Sequence, residues 1–433
     1  MKEEQKMTFQ RIGTRQYGNG EVVHTPLIRA GDWIFGTGLR ANLPSGEIDP
    51  DVERLHRPFS SPPKAQREAQ HIFDLLVTEL SEHNSAITRV ARLDQYFTHH
   101  LHVDPYHVVR KKSLQGQVAP STSILIKGLL NTDACMDVQM IASTLQSTHA
   151  FDPVAPSKLN VPTTSGYAPC LRVGDLIFVA GQLARDASGQ IAASAQVPEG
   201  QLWNGTRIKL ETEYLIEHRL MPALAAAGSN LDLVLKAQVY LSNSCDLAQF
   251  WQVWAKAFGN RIPPTTVVPV AHPGFGTKEA SIEINLIAAH QDAAKDIKDI
   301  DCDVELIGQH MVPARSFQQL LFVAGLMAIE DGGLCHASKP STSAPYYTDS
   351  ARQQSLNILA KAKTIFKAAQ TDLSYLTRAI HFQSDLNEFN SIYQAWDPEL
   401  RRAGLPFTAV EVGSELFVND AALILDLWGY IPR

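Results

Sequence analysis

Apolar residues gather in short runs that close on glycine, and the same run returns three times. The first passes from Ile28 through Gly31, Asp32, Trp33 and Phe35 to Gly38, the second from Leu171 through Gly174, Asp175, Leu176 and Phe178 to Gly181. A fainter version leads from Ser316 through Leu320, Leu321 and Phe322 to Gly325. In each, a turn precedes an unbroken apolar stretch, the pattern of a buried strand that ends where another backbone comes close. Downstream the period changes. Ala69, Ile72, Phe73 and Leu76, and again Leu356, Leu359, Ala362, Ile365 and Phe366, recur at helical spacing and predict helices with one apolar face. A strand over Val234 to Leu241, a second helix over Leu247 to Phe258, a strand opened by Pro-x-Thr and a last strand over Ser281 to Ala288 follow in the middle region. The order is β-β-α-β-α-β-β, an α+β layer with helices on one sheet face.

The Pro-x-Thr element also recurs, at Pro120 and Thr122, Pro263 and Thr265, and Pro406 and Thr408. The threonines are evenly spaced (122 + 143 = 265; 265 + 143 = 408). Two independent landmarks therefore mark a tandem repeat, and 433 residues suit about three domains at ~150 residues each. We expect copies over residues 12–147, 160–290 and 304–433, joined by linkers at 146–164 and 291–304. Residues 42–64, with Pro44, Pro58, Pro62 and Pro63, read as a loop insertion in the first copy.

Composition narrows the function. A hydrophobic content of 45% with 19% charged residues is that of a globular chain. There is no signal-peptide-like start and no apolar run of membrane-spanning length, so a cytoplasmic location is expected. Five cysteines, widely spaced and without a CxxC pair, predict reduced thiols rather than a disulfide framework or zinc ribbon. A net charge of −7 without a basic block argues against a nucleic-acid partner.

The middle region carries a family resemblance. Gly174 to Gln182, then Ala225-Ala226-Ala227-Gly228-Ser229-Asn230-Leu231, Val239-Tyr240-Leu241 and Ile282 to Ala288, in that order, resemble the RidA/YjgF family of imine/enamine deaminases. The outer two regions are similar but more divergent. The resemblance implies a chorismate-mutase-like α+β module that assembles as a trimer, with a central β-barrel, outer helices and ligand clefts between subunits. Three fused copies would make a single-chain pseudo-trimer, monomeric or a small oligomer of itself, with a small-molecule substrate, no cofactor and no metal.

What the resemblance implies for the site is mixed. The family arginine that clamps a substrate carboxylate falls on Thr122, Thr265 and Thr408, so simple 2-imino acids are expected to be poor substrates. The family glutamate that positions water falls on Asp137, Glu283 and Ile424, and the tyrosine that caps the pocket on His24, Tyr167 and Met311. A family serine becomes Thr37, Ala180 and Ala324, and a helix asparagine becomes Arg110, Trp254 and Tyr393. Glu283, Asp137, Tyr167 and His24 are thus the candidates for proton chemistry, and Thr122, Thr265, Thr37 and Arg110 for substrate contact. Most have a plainer reading: a polar sheet face for Glu283, a packed aromatic for Tyr167, a turn histidine for His24, strand propensity for the Pro-x-Thr threonines and a solvated helix cation for Arg110. The histidine-dense stretch from His99 to His107 fixes no metal geometry.

The leading expectation is a hydrolase of C–N bonds whose acid residue orients water at an inter-repeat cleft, with activity confined to clefts walled by copies one and two. A non-catalytic ligand-binding or regulatory protein is the alternative. A ring-opening amidohydrolase of the cyanuric acid hydrolase type lacks its recurring Ser/Lys pair here, and ribonuclease activity fits poorly with the acidic charge.

Overall fold

The computed structural model describes residues 9–43, 45–54, 59–116, 119–154, 159, 167–200, 206–271, 273–277, 279–339, 343–344, 346 and 348–432. Three sheets dominate it, and their strands follow one order. The first contains β1 (Phe9–Ile12), β2 (Leu27–Ala30), β3 (Trp33–Leu39), β4 (Val90–Phe97), β5 (Ser121–Leu125) and β6 (Met136–Ser143), arranged 1-2-3-6-4-5. The second repeats this with β7 (Phe151–Val154), β8 (Cys170–Val173), β9 (Leu176–Gln182), β10 (Val234–Leu241), β11 (Thr265–Pro269) and β12 (Ile282–Ala289). The third does so with β13 (Ile297–Ile300), β14 (Ala314–Phe317), β15 (Leu320–Val323), β16 (Leu376–Gln383), β17 (Phe407–Glu411) and β18 (Leu423–Tyr430). Within each sheet only the fourth and fifth strands in chain order run parallel.

Two sequence expectations change here. The stretches taken as linkers each contain a strand, β7 and β13, which pairs antiparallel with the next strand as a sheet edge. Their half-exposed, polar-interrupted sequences hide the strand period. The expected insertion at 42–64 holds a short helix, Pro50–Glu53, capped by Asp49, while 44 and 55–58 lie outside the described residues.

The helices form for local reasons. α1 (Lys64–Glu82) begins after Pro63 and buries Ala65, Ala69, Ile72, Phe73, Leu76 and Leu80. α2 (Val103–Ser113), α3 (Thr206–Leu215, continued without a break to Ala226), α4 (Leu247–Phe258), α5 (Ser350–Ala368) and α6 (Phe389–Gln394) follow. The first helix of each set ends beside a left-handed residue, Asn84, Gly228 or Gln370, the usual means of stopping a helix. On α5 the stripe differs from expectation: Ile358 is buried, whereas Leu356 is 41% exposed. A tie absent from the sequence reading joins helix to sheet in all three sets. Glu68, Glu211 and Gln354 each accept the backbone N–H of Cys135, Ser281 or Ala422, at the entry to the last strand, at 2.8 Å.

The three sheets share an interior. One apolar cluster draws Trp33, Phe35 and Ile141 from the first, Leu176, Phe178 and Ile287 from the second and Phe322, Trp428 and Tyr430 from the third. Tyr96 and Tyr240 place their hydroxyls 3.1 Å apart, and the ring of Phe382 lies 6.0 and 6.3 Å from theirs. Four residues earlier on the same strands stand Arg92, Lys236 and Arg378, all buried. Arg92 and Arg378 share Asp94, whereas Lys236 meets Asp426 of the third sheet at 2.7 Å. Desolvation makes unpaired charges untenable there, so these pairs fix which strand faces which.

Candidate functional site

The fifth strand of the first sheet meets the third strand of the second, the fifth strand of the third sheet meets the third strand of the first, and a cavity opens at each of these junctions. Between the first and second sheets it is an open cavity of about 210 Å³ lined by Val103, Asp104, His107, Ser121, Ser123, Tyr167, Gly181, Leu183, Arg185, Gly276 and Glu283. Glu283 lies on β12 opposite Tyr240. It approaches Gly181 so closely that a Cβ there would overlap its carboxyl group and come within 3.2 Å of Thr122 Cγ2. The glycine that ends the apolar run is therefore what admits the acid.

Burial governs the electrostatics. It pushes Glu283 up to about 8, with Arg185 and Arg92 opposing and Asp94 adding to the rise. Burial and then Glu283 hold the Tyr167 hydroxyl above its ordinary value. His107 is pushed down to about 3 by burial and the nearby Arg110 and Lys111, so it is a neutral imidazole. Arg110 is fully buried, lies over the Tyr106 ring and donates from Nη1 to Ser121 Oγ at 2.7 Å. Arg185 donates to Thr277 Oγ1. The cleft thus joins a proton-bearing acid to a phenol, two serine hydroxyls and a guanidinium. That set can hold a polar small molecule and move a proton to it.

The threonine trio does not survive as equivalents. In strand register Leu93 faces Ser121, Ala237 faces Thr265 and Ala379 faces Phe407. The position of Thr265 is therefore filled by Ser121 and Phe407, and Thr122 and Thr408 correspond to Thr266. A slip of one residue turns the side chain to the other face. The even spacing of 143 misled because the fourth strands start 144 and 142 residues apart (Val90, Val234, Leu376). Thr122 instead receives hydrogen bonds from Arg92 at 3.2 Å and Asn285 at 3.0 Å between the sheets. The same count moves the third helix position from Tyr393 to Trp396, since α2, α4 and α6 begin at Val103, Leu247 and Phe389.

The remaining candidates separate by cleft, not by copy. His24, Thr37 and Asp137 belong to the junction of third and first sheets. Thr408 donates to Asp137 at 3.2 Å and accepts from the Gly38 N–H at 2.8 Å, and Phe407 packs edge-on against His24. Burial raises Asp137 to about 7, opposed by Arg40 at 3.8 Å, and holds His24 down to about 3. Thr37 is buried. Thr265 belongs to the junction of second and third sheets, where its N–H points to Met311 Sδ at 3.4 Å and its hydroxyl accepts from Trp254 at 3.2 Å. Ile424 and Ala324 are buried apolar side chains.

Sequence reasoning missed Ser121, Ser123, His107 and Arg185 as cleft residues. Counting from the strand-opening prolines to the parallel partner strand would have found Ser121, but Arg185 comes from a loop with no pattern. Among the described residues, the side chains that converge with metal-ligand spacing are Glu79, Glu82 and His83 on and beside α1, none of them a cleft residue. No helix among them is long and apolar enough to cross a membrane.

The match to a known family falls on the second sheet. Residues 158–290 match the endoribonuclease L-PSP family. A RutC family protein of Pyrococcus horikoshii is 31% identical over 130 residues, which are 30% of this chain and 91% of that protein. Protein HMF1 of Saccharomyces cerevisiae is 29% identical over 128 residues, 30% of this chain and 87% of that protein. Among solved structures, a chorismatase aligns over 79% of this chain and 93% of its own, with a TM-score of 0.48 and 11% identity. The extent and identity of the RutC match show that this chain belongs to the endoribonuclease L-PSP/RutC family, that of RidA.

Proposed function

We propose that the cleft between the first and second sheets hydrolyses a C–N bond of an imine- or enamine-like small molecule. The observation that carries this reading is Glu283, a buried acid held up to about 8, facing an open cavity beside Tyr167 and Ser121. An acid near neutral pKa suits both halves of the reaction. Protonated Glu283 donates to the imine nitrogen as water adds to the carbon. Its carboxylate takes one proton from the added water to leave a neutral carbinolamine, hands that proton to the amine nitrogen and takes the hydroxyl proton as the C–N bond breaks, so ammonia and a carbonyl compound leave and Glu283 is again protonated. Arg185 and Arg110 supply positive charge in place of the missing clamp, from different walls.

In this reading the chain is a ring of three RidA-like units around the Tyr96, Tyr240 and Phe382 contact, their boundaries set by β1, β7 and β13. Fusion has let the three clefts diverge. The second–third junction, with Met311 and Ile424, holds no proton donor at the family acid position. The test is ammonia release from a panel of imines, enamines and cyclic amides. Turnover lost in Glu283→Gln supports the proposal; turnover unchanged in that variant overturns it.

A further inference from the structure

The cleft between third and first sheets opens on a cavity of about 420 Å³, inside the ~300–1,000 Å³ range of small-molecule sites. Its walls differ from those around Glu283. Phe407 stands where Ser121 does, and Phe389 opens α6 as Val103 opens α2. Two residues beyond Gly38 comes Arg40, where Leu183 follows Gly181, and Asn42 takes the place of Arg185. Phe389 and Phe407 lie 5.4 Å apart at 33°, and Tyr17 closes one side.

Two polar side chains on this wall are only 7% exposed and incompletely bonded. Arg40 Nε has no hydrogen-bond partner, and Asp137 at 3.8 Å is too distant to be one. Asn42 donates to Gly46 O at 3.0 Å while its Oδ1 accepts nothing. Buried groups of this kind normally find partners. The cavity thus offers a cation, an acceptor amide, two exposed acids (Glu47 and Asp133) and aromatic faces. We propose that it binds an aromatic α-amino acid, the carboxylate on Arg40, the ammonium toward Asn42 Oδ1 and Asp133, and the ring against Phe389 and Phe407. Neither a lone carboxylate nor a lone amine satisfies both ends, and an aliphatic side chain forgoes the ring contacts.

The site is independent of the proposed chemistry at Glu283, and its test is binding rather than turnover. The full chain is titrated with L-phenylalanine by calorimetry. One saturable site per chain is expected, with leucine, phenylacetate and phenethylamine each weaker by at least about 10-fold. Arg40→Met should abolish binding, and Glu283→Gln should leave it unchanged. Should Arg40→Met not fold, Phe407→Ser, which copies the counterpart side chain, should erase the preference for phenylalanine over leucine. No saturation up to ~10 mM, binding intact in Arg40→Met, a preference retained in Phe407→Ser, or binding lost in Glu283→Gln would each overturn the proposal.

Discussion

Glu283 and Asp137 are two acids in pseudo-equivalent places with different neighbours. Both hold their protons far above ordinary carboxyl values, to about 8 and about 7, because burial disfavours the anion. The folded state therefore keeps protons that the unfolded chain releases. Their contribution to stability is full below about pH 4 and is lost as pH rises through about 7 to 8. Calorimetric melting should show Tm falling between pH 5 and 8.5, with a shallower fall in Glu283→Gln and Asp137→Asn; identical slopes in all three proteins would contradict it. For turnover, loss of the Glu283 proton should give a descending limb near pH 8, absent from the residual rate of Glu283→Gln. The acids themselves were legible in the sequence, as residues at family positions. Their partners were not, because Arg185, Arg40 and Phe407 come from other elements, and the repeat says nothing of which copy faces which.

A strand is where the sequence reading slipped. Pro-x-Thr looked like one landmark, yet parallel pairing places Ser121 in the cleft and turns Thr122 into the joint between sheets. The two neighbours should therefore fail differently. Thr122→Val removes the acceptor for Arg92 and Asn285 and should cost about 1–3 kcal/mol in denaturant unfolding, with KM unchanged. Ser121→Ala should shift KM with a smaller effect on stability. The reverse pattern would show that the register given by the pairing is not the one the site uses. Gly181 tests the same geometry from across the cleft. Gly181→Ala puts a methyl group where the Glu283 carboxyl lies, so turnover should drop by about 100-fold or more in a protein that still melts cooperatively. The α1 and α4 helices and the other five strands of the second sheet were readable because one apolar face or run defines each. The edge strands β7 and β13 were not, since half-exposed residues carry no clear period.

At the scale of the whole chain, three sheets bury one another's inner faces, so the 47.7 kDa polypeptide should sediment as that mass or a small multiple built from outer surfaces. A mass that requires each chain to open and trade its sheets with others would contradict the proposed ring. The layer of Arg92, Lys236 and Arg378 carries a further consequence. The second sheet contributes Lys236 but holds Gln238 and Asn285 where the first has Asp94 and the third Asp426. A homotrimer of that unit would lack the Asp94 and Asp426 partners and leave its buried ammonium groups only the acid at the Glu283 position, which faces Arg92 here. The charged layer is a set of unlike parts in which one sheet completes another, so exchanging a sheet for a copy of its neighbour should leave a charge without its partner in the interior.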